Sequence, residues 1–305
     1  MASGGSGAND NPTMSARTIL NIVIAAAVIV LAVIAFYPGS KPEPPPPMVQ
    51  LLPLNKADID HLNIHSHDKP VLRFSKQDQQ WFMTDPIKVR ASKHRIDTLL
   101  DLLRQPSSTK LSVDKNNLAK FGLDTPRYGL EFNGYSMTIG DTEPLHKRRY
   151  VMAQDTVYVI EDYFSHLLME GEGALIDHAL LPPGSIIEKL QLPELTLEKK
   201  QGQWQITEAS RLNSEHYSQD SLNALIDEWR YGRALTVTLL DKDYHSAGAP
   251  TIKVYLQNQA DPIVFYVDQT QVHTLLIRPD LKIRYHLTKD TAQRLMRLIE
   301  KTSDE

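Results

Sequence analysis

Residues 18–37, "TILNIVIAAAVIVLAVIAFY", form a nearly continuous apolar run without a single charge. At about 1.5 Å rise per residue such a run reaches roughly 30 Å, the thickness of a bilayer's hydrocarbon. No polar stripe interrupts it, as one would on a helix lying on a protein surface, so the pattern predicts a transmembrane helix. The run is too long for a signal peptide's apolar region, lacks a small-x-small cleavage site and leaves through Phe36-Tyr37-Pro38; we read it as an uncleaved, single-pass anchor. The Gly/Ser/Asn-rich head, residues 1–17, is expected to be disordered, and Arg17 set against Lys41 and Glu43 places it in the cytoplasm. Met14 opens "MSARTIL", a compact start for an anchor, so residues 1–13 are expected to contribute little. After the helix, "PGSKPEPPPP" (38–47) opens a Pro-rich spacer over 38–55, held extended because stacked prolines fix φ and forbid helix.

From about residue 56 the pattern changes to alternating strands and short amphipathic helices, and two halves, 56–180 and 181–305, overlay at an offset of about 124 residues. "VLRFSKQDQQWFMT" (71–84) and "LTLEKKQGQWQIT" (195–207) each predict a hairpin, with Trp81 and Met83 sharing a face in the first and Trp204 and Ile206 sharing a face in the second. A helix follows in each, "RIDTLLDLLR" (95–104) and "SLNALIDEWR" (221–230). Ile96, Leu99, Leu100 and Leu103 match Leu222, Leu225, Ile226 and Trp229 at i, i+3, i+4, i+7 spacing, and Ser92 and Ser218 stand at the N-cap positions. Then come a strand (109–113; 234–238), an Asp-Lys pair (Asp114-Lys115; Asp241-Lys242), a glycine with a proline (Gly122, Pro126; Gly248, Pro250), four strands, and a closing helix (161–168; 288–300). In the first half Asp114 is expected to cap a short helix that Gly122 closes in the left-handed conformation. The expectation is an α+β chain: one N-terminal transmembrane helix, then two tandem, duplicated α+β domains with mainly antiparallel sheets, separated at "LLPPGS" (180–185).

Composition narrows the function classes. With 41% hydrophobic and 23% charged residues the 305-residue chain is globular in character, and a formal net charge of −4 argues against nucleic acid as a partner. There is no cysteine, which excludes a disulfide, a thiolate metal site, a cysteine nucleophile and lipoprotein acylation, and suits an extracytoplasmic protein. The cluster "HLNIHSH" brings His61, His65 and His67 close together, with Asp58, Asp60 and Asp68 as further donors; on a strand His65 and His67 would share a face as metal ligands do. We read it as a solvated strand edge. Arg148 and Arg149 in "HKRRY" offer a phosphate-binding turn, but a solvated hairpin turn needs no ligand. Trp81 and Trp204 are read as core anchors rather than stacking platforms, and the Asp-Lys pairs as helix caps rather than acid/base groups. GxSxG, HExxH, Walker, strand–GxGxxG–helix and EF-hand patterns are all missing, so no catalytic, metal or cofactor-binding residue is assigned and no cofactor is expected.

"FGLDTP" (121–126), preceded by a Trp hairpin and an amphipathic helix and followed by "TIGD" (138–141), "RYVM" (149–152) and "VYVI" (157–160), resembles the uncharacterised bacterial family called domain of unknown function 4340. The resemblance covers roughly 60–170 well and the second half in outline, where "SAGAP" replaces "FGLDTP". It implies a single amino-terminal anchor, repeated α+β units, and for some members a place beside ABC-type transport systems of the gliding-motility class. It implies no catalytic residue. Together these observations lead us to expect a non-enzymatic, single-pass protein of the bacterial inner membrane, its soluble part periplasmic, acting as scaffold or accessory subunit among other membrane-protein subunits. The rival is an anchored periplasmic ligand-binding protein or hydrolase acting on envelope glycan, peptide or lipid, for which a cleft between the halves lined by carboxylates or histidines would speak. A third reading makes the anchor itself the partner-binding element, through Ala25, Ala26, Ala27, Ala32 and Ala35.

Overall fold

In the computed structural model the described residues are 16–36, 46–107, 109–112, 115–145, 147–209, 217–241, 244–245, 248–269 and 274–298. The expectations for the head up to residue 15, for most of the proline spacer, and for Asp114 and Lys242 therefore lie outside the described residues. The chain divides into two units, Met1–Pro46 and Pro47–Glu305. In the first, the apolar run is one uninterrupted helix, α1 (Ala16–Phe36), with no acidic residue in its first turn and no basic residue in its last. None of residues 16–33 is buried by the protein itself, so the helix is long and apolar enough to cross a membrane, as both an anchor and a signal sequence are.

The second unit holds two large antiparallel sheets and a small two-stranded one formed by β1 (Met48–Gln50) and β6 (Arg104–Pro106). The first large sheet contains β2 (His61–Ser66), β3 (Lys69–Gln77), β4 (Gln80–Asp85), β5 (Val89–Arg90), β7 (Lys110–Ser112), β8 (Tyr128–Phe132), β9 (Tyr135–Thr142), β10 (Arg149–Ala153) and β11 (Thr156–Ile160). Its order is β5-β4-β3-β2-β8-β9-β10-β11-β7. The second contains β12 (Ile187–Gln191), β13 (Leu195–Lys200), β14 (Gln203–Ala209), β15 (Thr236–Leu239), β16 (Thr251–Leu256), β17 (Ile263–Gln269), β18 (Thr274–Arg278) and β19 (Ile283–Leu287), in the order β14-β13-β12-β16-β17-β18-β19-β15. Apart from β5, the two orders correspond strand for strand in chain sequence.

Local chemistry fixes these hairpins. Asp78 and Gln79 (φ 46° and 63°) join β3 to β4, and Gln201 and Gly202 (φ 51° and 84°) join β13 to β14, the paired positive φ values that match a tight turn to the twist of its strands. Asn133-Gly134 does the same between β8 and β9 (φ 46° and 88°). Asn133 also accepts from the backbone N–H groups of Asp60 and His61 at 3.1 and 2.9 Å, which ties that turn to the start of β2.

Helices cover the sheets as the periodicity predicts. Helix α2 (Lys93–Leu100) buries Ile96, Leu99 and Leu100 and tightens into a 3-10 turn that buries Leu102 and Leu103. Helix α5 (Gln219–Tyr231) buries Leu222, Leu225, Ile226 and Trp229. Removing those four side chains from water is worth roughly 6–12 kcal/mol as an upper bound, enough to dock a helix that would be marginal alone. Trp81 and Trp204 are 3% and 4% exposed, in the core as expected. Ser218 caps α5 by accepting from the Ser221 N–H at 3.2 Å. Ser92 stands at the expected cap position of α2, but its side chain makes no cap bond; its own N–H donates to Leu175 O at 2.8 Å, so the linker fixes this helix start.

The closing helices are shorter than expected: α3 spans Ser165–Met169 and α6 Lys289–Met296, and a further short helix, α4 (Glu172–Leu175), follows α3. Gly122 (φ 63°) closes the expected short helix, a 3-10 helix over Lys115–Phe121, in the left-handed conformation. Asp241 begins no described helix; its carboxylate pairs with Arg284 on β19. Hydrophobic residues of both sheets, including Leu175, Ile176, Leu180 and Leu181 from the linker between them, pack into one continuous core.

Candidate functional site

The linker from Gly171 to Pro182 is where the two sheets meet. It pairs with the first sheet through the bridge between Ala91 and Ile176 and the bond from Asp177 N–H to Arg90 O at 2.9 Å. It pairs with the second through the bridge between Ala179 and Arg233 and the bond from Leu180 N–H to Gly232 O at 3.0 Å. Helix α4 lies against β15 so closely that a Cβ on Gly173 would stand 1.9 Å from Val237 O, which is why glycine is required there.

Charged side chains gather at this seam. Asp177 accepts from Arg90 Nε at 2.8 Å and from Arg233 Nη2 at 3.2 Å, and Arg90 Nη2 also donates to Leu181 O at 3.1 Å. Arg278 grips Asp280 with two bonds, Nε to Oδ1 at 2.9 Å and Nη2 to Oδ2 at 2.6 Å, and its guanidinium lies over the Phe265 ring at 5.3 Å. Asp280 feels burial, which raises a carboxyl, but the bonds and charge of Arg278 outweigh it and hold it below the ordinary range. Tyr285 stands between these pairs; burial first, with Asp177 and Asp280 adding to it against Arg278 and Arg90, pushes its hydroxyl up to about 12. His178 is buried beside them, its Nε2 without a hydrogen-bond partner among the described residues. Burial, and then the charges of Arg95 and Arg233, hold its imidazole below the ordinary value.

The space these residues leave is a cleft of about 710 Å³ between β5 and the linker on one side and β18–β19 on the other. A larger cleft, about 1100 Å³, lies beside Glu194, Tyr244 and Asp268 in the second half.

The residues singled out from sequence lie elsewhere. His61, His65 and His67 are exposed along and just past β2; His65 Nε2 faces Glu131 at 3.5 Å, His67 faces Asp68 at 4.0 Å, and the three are not drawn together. Among the described residues no group of three or more His, Asp and Glu side chains is arranged to hold a metal ion. Arg148 and Arg149 do not form a solvated turn. Arg149 is largely buried and donates to Asp162 through Nε at 2.8 Å and Nη2 at 2.5 Å and to Gly140 O at 3.1 Å, while Arg148 pairs with Glu143 at 3.7 Å. Asp162 in turn accepts from the Ser165 N–H and hydroxyl at the start of α3. Burial would raise its carboxyl; the bonds from Ser165 and Arg149 outweigh it and lower it.

The sequence profile of the family described as a domain of unknown function (DUF4340) matches residues 81–278, more than half of the chain. The chain belongs to the DUF4340 family. The matched region begins at Trp81 and ends at Arg278, so it contains β5, the linker and β18 but stops short of Leu281 and Tyr285 on the far wall of the junction cleft. No curated protein and no solved structure matches the chain.

Proposed function

We propose that this DUF4340 protein is a single-pass, membrane-anchored, non-enzymatic scaffold or accessory subunit whose residues 47–305 present a binding surface to other membrane-protein subunits outside the cytoplasm. The observation that carries the reading is α1, an apolar helix charged only at Arg17 in its first turn, whose residues 16–33 find no burial in their own chain, while the second unit completes its own core. We further infer that the two large sheets descend from one duplicated α+β unit; the coincidence of eight strands in the same order supports this. The spacer sets the distance of that surface from the bilayer, and the anchor keeps it there at high local concentration.

The test is a mild-detergent pull-down of the full chain against a chain starting at Pro47, with partners identified by mass spectrometry and the amino terminus of the mature protein sequenced. Stoichiometric membrane subunits with the full chain, and an intact terminus, are the expected result. A protein that emerges alone in both forms overturns the scaffold, and a mature chain that starts beyond Tyr37 overturns the anchor.

A further inference from the structure

The junction cleft carries an assignment that does not depend on the scaffold reading. Its volume, about 710 Å³, falls within the range of small-molecule sites. Phe82, Val89, Leu181, Pro182, Ile263 and Leu281 give it an apolar lining, and Lys88, Arg90 and Arg278 bring three cations to the same space. Their donors are not used up. Arg90 spends Nε and Nη2 on Asp177 and Leu181 O, and Arg278 spends Nε and Nη2 on Asp280, which leaves each with a free Nη1 that is not sealed away from solvent. Lys88 is exposed and makes no ion pair among the described residues. The carboxylates beside them are already occupied, Asp177 by Arg90 and Arg233 and Asp280 by Arg278. The arginine forks are therefore held in place by their partners, a preorganised arrangement for a planar anion.

We propose that this cleft binds a small organic monoanion, one carboxylate on an apolar body, with the carboxylate between Lys88 Nζ and the free Nη1 groups of Arg90 and Arg278. A dianion fits less well, because Asp177 and Asp280 stand next to the same cations and would repel the second charge. An uncharged apolar ligand would strip water from three cationic groups without replacing its hydrogen bonds. The carboxylate can come from a fatty acyl chain or from a peptide C-terminus. Because one wall belongs to the first sheet and the other to the second, the bound ligand would clasp the two together.

The experiment is calorimetric titration of the full chain in phosphatidylcholine nanodiscs, with empty nanodiscs subtracted, using sodium octanoate and N-acetyl-Leu-Phe, each against its neutral amide. At least one carboxylate is expected to bind about tenfold or more tightly than its amide, as a charge-assisted hydrogen bond implies. Octanoate binding alone assigns an acyl carboxylate, and peptide binding alone a peptide C-terminus. Arg278→Gln tests the deepest donor. Lys88→Glu, at an exposed position that the fold does not need, should weaken binding about tenfold or more, while Lys120→Glu should leave it unchanged. Equal affinity for carboxylate and amide, no binding of either carboxylate, or full affinity in Lys88→Glu each overturns the assignment.

Discussion

Replacing Gly173 by alanine sets two effects against each other. Within a helix the change should stabilise, by up to about 1 kcal/mol, because alanine loses less backbone freedom. Here the added methyl would lie 1.9 Å from Val237 O and 3.0 Å from Val237 C, with Thr238 Cα at 3.6 Å. These neighbours are backbone atoms of β15, held in register by pairing with β19, so relief requires α4 or the strand to move. Overpacking against a fixed neighbour costs about 3 kcal/mol, leaving a net loss of about 2 kcal/mol. For a unit of this size that lowers the midpoint of thermal unfolding by roughly 4–8 °C. Circular dichroism melts of the full chain in mild detergent, with Gly173→Ala beside the unmodified protein, measure it. A melt that becomes biphasic would add that the two sheets lose their coupling when the seam opens. A variant as stable as the original, or more so, would refute the packing of α4 on β15 from which the figure is worked.

Two other perturbations read separate parts of the structure. Trp229, wholly buried, donates from Nε1 to Leu295 O at 2.8 Å and joins α5 to α6; Trp229→Phe should cost about 2–3 kcal/mol by leaving that carbonyl unpaired and a void beside it, and urea unfolding that shows less than about 0.5 kcal/mol would contradict it. His178 has a folded value held below its ordinary 6.5 by burial and then by Arg95 and Arg233, so below pH 6.5 the unfolded chain takes up a proton that the folded chain refuses. Its contribution is fully present above 6.5 and is lost as pH falls from 6.5 toward the folded value. A thermal-melt series from about pH 7.5 to 5.5, spanning the ordinary histidine value, should show a shallower fall in His178→Gln than in the unmodified chain; equal slopes would sink the idea. Asp162, lowered from 3.8, cannot mimic the effect, since its contribution is lost only as pH drops below 3.8.

The parts of this architecture that sequence discloses are those written locally. Alternation between residues 71 and 84 and a polar pair at its centre suffice for β3 and β4, and the i, i+3, i+4, i+7 spacing of Leu222 to Trp229 suffices for α5, because each element's partner lies next to it in the chain. What the local pattern does not disclose depends on contacts across long separations. The three-residue strands β1 and β6 and the two-residue β5 carry too little pattern to be distinguished from loop. Arg149 has the local sequence of a turn residue because its partner, Asp162, comes a whole hairpin later. The junction was least legible of all: "LLPPGS" has a linker's composition, yet Leu180 and Leu181 are 1% and 2% exposed. Prolines and glycines announce a change of direction and say nothing of what the turning chain will cover. A sharper signal was available in Gly173, a glycine inside a helical stretch, where close approach of another backbone is a usual cause.

The place where the two halves differ most is also where the cleft forms. In the first sheet the strand bearing Trp81 has a neighbour, β5, and Trp81 O accepts from Ala91 N–H at 2.8 Å. In the second sheet the matching strand, β14, is an edge among the described residues, and one side chain serves its tryptophan: Gln219 accepts from Trp204 N–H at 3.2 Å and donates to Trp204 O at 2.7 Å. A single amide thus satisfies the backbone groups at that position, so β14 can end its sheet there without leaving them open to another strand. In the first half the extra strand β5 covers that edge and buries Val89, and with Lys88 just before it brings Lys88 and Arg90 to the junction cleft. Removing that strand would take Lys88 and Arg90 from one wall of the cleft and Val89 from the core. That asymmetry, inserted into an otherwise matching strand order, is the strongest structural reason to look for this protein's specificity at the seam rather than on either sheet alone.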